Sequence, residues 1–307
     1  MELLKALQEI RIPFLDGLVG LVTYMGDETF FTVIAMAVVW CISKRWGFRL
    51  LLIGLSGSVV NQLLKAIFVI PRPWVLDPTF SIVESAREGA SGYSFPSGHT
   101  HSAVSIFATL AMWLRNKWAT VVCVLMILLV GFSRMYLGVH TPLDVGVSLI
   151  VGTVMVIATV KLLDRSRNEE KTRIACCAIA LALAVVTILY VLYGPKTANN
   201  MPEFDAHGVE SVWKLVGTIA GVLLAMWVDH RYTHFNVEAP LWAQIVKIVG
   251  GLLIVVGIQN GLKPVLNTVF GDLAFRHGLR YFLMAAAGGA LWPMTFKFFP
   301  KKAEKRS

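Results

Sequence analysis

Apolar stretches of about twenty residues, parted by short charged links, dominate the hydrophobic pattern of this chain. They run at about 28–43, 50–70, 99–115, 118–134, 142–163, 174–193, 211–228, 241–262 and 279–297. A helix rises 1.5 Å per residue, so roughly 20 apolar residues cross a bilayer core of about 30 Å. Lipid offers no water to backbone groups, and a helix satisfies its own. The pattern predicts an all-α, polytopic transmembrane helix bundle of about nine spans, the first of them short. Gly54, Ser56, Gly57 and Ser58 in the second run suit close helix packing.

Ahead of these runs, Leu3, Leu4, Leu7, Ile10, Phe14 and Leu18 recur at helical spacing with Lys5, Glu9 and Asp16 between them. This predicts an interfacial amphipathic helix broken at Pro13. Glu2, Lys5, Glu9 and Arg11 interrupt the apolar core that a cleavable signal peptide needs. The chain therefore divides into an interfacial segment at 1–27, a transmembrane core at 28–165 and a further set of helices at 166–307.

Composition agrees with the pattern. Hydrophobic residues make up 56% of the 307 and charged residues only 15%, against about 25% charged in a soluble domain. The net charge of +9 does not point to nucleic acid, because the basic residues lie in short links and near the C-terminus without interleaved aromatics. Cys41, Cys123, Cys176 and Cys177 all sit in apolar runs and read as buried free thiols. The histidines around His207 and His230–His234 read as solvated loop residues.

Charge also orients the bundle. With the first span running inward, 17 of the 28 Lys and Arg residues fall on the cytoplasmic side, including the C-terminal cluster from Lys297 to Arg306. The acidic Glu203, Asp205 and Glu210 fall outside. The expected C-terminus is cytoplasmic. No Asn-x-Ser/Thr sequon occurs, which is compatible with a bacterial inner membrane.

On this topology three polar stretches meet on the extracytoplasmic side. KAIFVIPRP (Lys65 to Pro73) closes the second span, PSGH (Pro96 to His99) opens the third, and SRMYLGVHTPLD (Ser133 to Asp144) links the fourth and fifth. Lys65, Arg72 and Arg134 are three cations suited to a phosphate's charge. Ser97 is a natural N-cap, and the free N–H groups after it, from Gly98 on, make an anion site. Thr141-Pro142 reads as N-cap and first helical residue, which puts Asp144 where it can turn back to His140. A carboxylate on one imidazole nitrogen fixes the tautomer and leaves the other as a nucleophile. His99 remains as proton donor to a leaving oxygen, and His101 reads as supporting it. The loop from Arg72 to Pro96 is either a cap over this site or a plain surface loop.

In register, the three stretches resemble the type 2 phosphatidic acid phosphatase (PAP2) superfamily. The resemblance covers about 50–152. The further helices are similar in layout to glucose-6-phosphatase and the sphingosine-1-phosphate phosphatases. It implies attack by His140, orientation by Asp144, leaving-group protonation by His99, and phosphate held by Lys65, Arg72, Ser97, Gly98 and Arg134. It implies no metal and no cofactor. The expected substrate is a lipid phosphate or diphosphate taken from the bilayer. Rival readings are a soluble sugar-phosphate phosphatase, a lipid-to-lipid phosphotransferase, and a transporter or scaffold that keeps a phosphate-binding site.

Overall fold

The computed structural model describes residues 1–300; the basic cluster beyond Lys297 lies outside them. It is all-helical. The amphipathic segment splits at Pro13 into α1 (Glu2–Glu9) and α2 (Pro13–Thr23). A tight turn at Tyr24–Gly26 leads to α3 (Glu28–Ala37), capped by Asp27, whose carboxylate accepts from Thr29 N at 2.7 Å. There follow α4 (Lys44–Phe68), the short α5 (Pro73–Leu76), α6 (Gly98–Leu114), α7 (Lys117–Tyr136) and α8 (Pro142–Arg165). The remaining helices are α9 (Glu169–Tyr193), α10 (Pro202–Val228), α11 (Leu241–Phe270), α12 (Phe275–Ala286) and α13 (Trp292–Met294).

Among the described residues, six helical stretches are long and apolar enough to cross a membrane alone: Lys44–Leu76, Lys117–Tyr136, Pro142–Arg165, Glu169–Tyr193, Pro202–Thr233 and Leu241–Phe270. The pair 13–26 and 28–42 passes the same test only jointly, across a bend of 51°. The break follows from Asp27, whose extended backbone (φ −73°, ψ 152°) starts a new helix. Two other apolar runs form helices at the expected places but are not among the stretches long and apolar enough to cross alone. The third makes a 17-residue α6, ended by left-handed Arg115. The last divides between α12 and a π-helical turn at Ala287–Leu291.

The N-terminal segment buries Leu4 and Leu7 against protein and leaves Leu3, Ile10, Phe14 and Leu18 exposed, as an interfacial helix would. Leu4 is fully buried in a cluster with Phe80 and Tyr136. Lys5 pairs with Asp77 at 2.8 Å, and Tyr136 Oη donates to Asp16 at 2.8 Å. The segment thus braces the end of the bundle where α7 meets α8. At the opposite end, buried Arg49 of α4 reaches Asp164 of α8 and Glu169 of α9, each at 2.8 Å. A buried cation is tolerable only with such partners, and this one ties α9 to the core.

Helix α10 makes the broadest contact of the later helices, lying along α12 while also touching α4 and α9. Its closeness to α12 requires glycine. A Cβ at Gly217 would sit 1.9 Å from the Gly278 carbonyl oxygen, a backbone atom that cannot turn aside. Gly217→Val is expected to cost at least the roughly 1–3 kcal/mol of an overpacked core. Thermal unfolding in detergent measures it; an unchanged transition would show that α12 does not rest on α10.

Candidate active site

The three polar stretches converge at one end of the bundle. Helix α4 stops when Val69 turns left-handed (φ 42°, ψ 44°), leaving Lys65 in its last turn. Pro73 opens α5 and sets Arg72 in extended backbone just before it. Ser97 caps α6, its Oγ accepting from Thr100 N at 3.4 Å and Thr100 Oγ1 at 2.9 Å. Thr141 caps α8 through a reciprocal box: Asp144 N donates to Thr141 Oγ1 at 3.3 Å, and Thr141 N donates to Asp144 Oδ2 at 2.7 Å. Ser97 N donates to the Asp144 carbonyl at 3.2 Å, joining the α6 and α8 starts.

His140 sits between a cation and a carboxylate. Arg72 Nη1 lies 2.9 Å from its Nε2, and Asp144 Oδ2 lies 3.4 Å from its Nδ1. A guanidinium can only donate, so Nε2 must present its lone pair. The imidazole proton is then on Nδ1, facing Asp144. All three residues are buried. Burial first, and then the charges of Arg72, Arg134 and Lys65, hold His140 well below its ordinary pKa. The ring is therefore neutral at physiological pH, with an unprotonated Nε2 whose lone pair accepts from Arg72.

The cations are held by neutral oxygens. Arg72 donates to the carbonyls of Gly92 and Val139, both at 2.9 Å, and of Ser91 at 3.1 Å. Lys65 donates to the carbonyls of Tyr93 and Ser94. Arg134 donates to Thr23 Oγ1 at 2.7 Å and reaches the Gly89 carbonyl at 3.5 Å, while its buried Nε has no acceptor among the described residues. The loop between Arg72 and Pro96 is thus a wall of the site.

His99 stands in the first turn of α6, with Nε2 3.9 Å from Asp27 Oδ2. Lys65, Arg72, Gly98, His99 and His140 line one common cavity. Ser97 is fully buried beneath it with its hydroxyl engaged in the cap, and Arg134 reaches toward it alongside Gly89. His101 also borders this cavity, farther along α6. It packs into the notch at Gly57, where a Cβ would meet its Nε2 at 2.0 Å, so it belongs to the α4–α6 contact.

Sequence reasoning missed several partners. Ser94 Oγ donates to Asp144 Oδ2 at 2.6 Å, completing that carboxylate's shell. Asp27 and Thr23 come from the N-terminal segment, and no spacing linked them to the three stretches. His207, expected to be solvated, lies on α10 with Nε2 3.0 Å from Ser91 Oγ. Tyr93 Oη donates to Asp205 at 2.9 Å and accepts from Met201 N at 2.9 Å. Helix α10 and the residues leading into it therefore hold the loop that holds the cations.

Comparison with known proteins bears on this geometry. The family model described as the PAP2 superfamily matches residues 46–168. A second, described as the transmembrane extension of PAP2 superfamily phosphatases, matches 213–305. Between them they cover more than half of the chain. The chain belongs to the PAP2 superfamily. It is an integral membrane protein, and its relatives are named as phosphatases, that is, phosphoric ester hydrolases. Over 97% of its length it is 23% identical to a probable sphingosine-1-phosphate phosphatase of Dictyostelium discoideum, covering 71% of that protein. It is 36% identical to the undecaprenyl-diphosphatase BcrC of Bacillus subtilis over 33% of this chain and 50% of the relative. A Sulfolobus acidocaldarius undecaprenyl-diphosphatase is 28% identical over 50% of this chain and 73% of its own. The match to BcrC thus spans only half of that relative. No solved structure matches the chain significantly.

Two outcomes follow for phosphate release. The acidic limb of kcat/KM, corrected for substrate ionisation, should lie below the ordinary histidine value of about 6.5; a limb at or above that value would contradict a buried neutral His140. Ser94→Ala removes a hydrogen bond to a charged group worth about 1.5–3 kcal/mol, so kcat should fall about tenfold or more. Steady-state kinetics measure it, and an unchanged kcat would remove Ser94 from the site.

Proposed function

We propose that this protein is an integral membrane phosphatase that hydrolyses a lipid phosphate or diphosphate at the extracytoplasmic face through a phosphohistidine on His140. The observation that carries the reading is the Arg72–His140–Asp144 arrangement, which leaves a lone pair on Nε2. Binding a phosphate needs cations alone. It does not need a neutral imidazole with a carboxylate behind it, and this favours an enzyme over a transporter or scaffold.

The chemistry runs in two displacements. Lys65, Arg72 and Arg134, with the N–H groups at the start of α6 from Gly98 on, receive the phosphoryl oxygens, and Arg72 turns its donor from Nε2 to the substrate. His140 Nε2 attacks phosphorus, a P–N bond forms, and the P–O bond to the lipid breaks. His99 gives its proton to the departing oxygen. A water then enters, His99 takes one of its protons, and the P–N bond breaks to release phosphate. Asp144 stabilises the charge that His140 carries between the steps. Three protein cations supply the charge neutralisation, and no metal is invoked.

In this reading residues 28–165 form the catalytic core and 166–307 an extension to it. The excess of basic residues opposite the site supports a cytoplasmic C-terminus. The absence of a glycosylation sequon fits a bacterial inner membrane.

Purified protein in micelles should release phosphate from at least one of phosphatidate, phosphatidylglycerophosphate, polyprenyl diphosphate and sphingosine phosphate, with EDTA present and with vanadate inhibiting. Glucose 6-phosphate turned over faster than every lipid would overturn the lipid reading. His140→Ala should lower kcat at least about a thousandfold, as loss of a nucleophile does elsewhere. Retained turnover would overturn its role.

A further inference from the structure

The cavity that begins at His99 and His140 does not end there. It has a volume of about 400 Å³ and continues between α3, α4, α10 and α12. Its wall on α4 extends from Lys65 to Phe48, and its wall on α10 from His207 to Ala225. At 1.5 Å per residue each is about 25 Å of helix, most of the thickness of a bilayer core. The lining changes character along this length. Near the histidines it holds Asp27, Glu28, Lys65, Arg72 and Lys214. Farther in it is Phe48, Leu51, Val222, Ala225, Val255 and Met284.

We propose that this cavity is the site for the substrate's apolar chain, and that the C-terminal extension, through α10 and α12, forms half of it. The inference rests on the lipid phosphatase reading and adds where the lipid lies. Continuity with the phosphate site identifies the occupant: a molecule phosphorylated at one end and apolar along the rest matches the gradient of the lining. The occupant has one chain. Helices α4 and α10 touch one another beside the slot, and a gap between packed helices admits a single extended chain, as does a volume near the lower end of the range for small-molecule sites. The extension is thereby a specificity element. Lys214, which sits among the polar lining on α10, is held by Glu210 at 2.8 Å.

Two experiments on the full-length protein in micelles test this. The first uses a single-chain alkyl phosphate with a diazirine at the far end of its chain. Photolysis should label cavity residues of α10 and α12 such as Val222, Ala225 and Met284, and excess unlabelled alkyl phosphate should remove the label. Label confined to outward faces, such as Ile150 and Val154 on α8, overturns the proposal even if the protein releases phosphate from the same lipid. Label in the cavity without phosphate release would keep the lipid site and defeat the phosphatase reading instead. The second narrows the slot from the extension side. Thr218→Trp should lower kcat/KM for the alkyl phosphate by about tenfold or more, whereas Ile150→Trp on the outer face should leave it within about twofold. Equal effects of the two variants would overturn the proposal, and the labelling of the unmodified protein decides the matter if Thr218→Trp does not fold.

Discussion

Three cations brought to one end of a helix bundle, Arg72 and Arg134 buried and Lys65 half-buried, repel one another, and everything at this site depends on how that repulsion is held. Among the described residues, none of the three is in a salt bridge with a carboxylate. Lys65, Arg72 and Arg134 donate to backbone carbonyls, almost all from the single loop between α5 and α6, with Val139 O and Thr23 Oγ1 completing the set. Carbonyl oxygens orient a guanidinium without cancelling its charge. The site keeps a net positive field in surroundings of low dielectric, where a phosphate's charge is worth far more than it is in water. The one carboxylate behind the imidazole, Asp144, is taken up by Thr141 N, Ser94 Oγ and His140 Nδ1 and offers nothing to the cations directly.

That arrangement makes the loop a structural necessity, and the loop is not self-supporting. Its Ser91 and Tyr93 lean on His207, Asp205 and Met201 at the start of α10. On its other side, the N-terminal segment packs Leu4 against Phe80, and Arg11 donates to the Ser81 carbonyl at 2.6 Å. A core that carries all three polar stretches therefore borrows its rigidity from both flanks of the chain. The relation of the extension to the core is one of support at the site as well as of shared membrane-spanning packing.

Much of this was legible in the sequence because it is local. Apolar runs of fixed length gave the helices. Cap residues placed Ser97, Thr141 and Asp144 at helix starts, where i to i+3 spacing alone dictates the bonds. Counting spans put Lys65, Arg72, Ser97 and His140 on one side of the membrane. What was not legible is long-range or depends on a backbone break. Nothing in the spacing of Thr23, Asp27, Gly89 or Ser94 ties them to Arg134, His99 or Asp144. The 51° bend between α2 and α3, the π-helical turn after α12 and the docking of His207 onto Ser91 arise from packing among segments far apart in sequence. His101, read from the sequence as a supporting residue, packs into the notch at Gly57, a contact no local spacing announces.

The account turns on a neutral imidazole nitrogen, aimed by Arg72 and Asp144, taking the phosphoryl group before water does. The stereochemical course at phosphorus tests this most directly. A lipid phosphate made chiral with oxygen isotopes and sulfur, hydrolysed in isotopically labelled water, should give net retention, because two in-line displacements each invert. Net inversion would mean that water attacks the substrate directly, and the role given to His140 would be wrong.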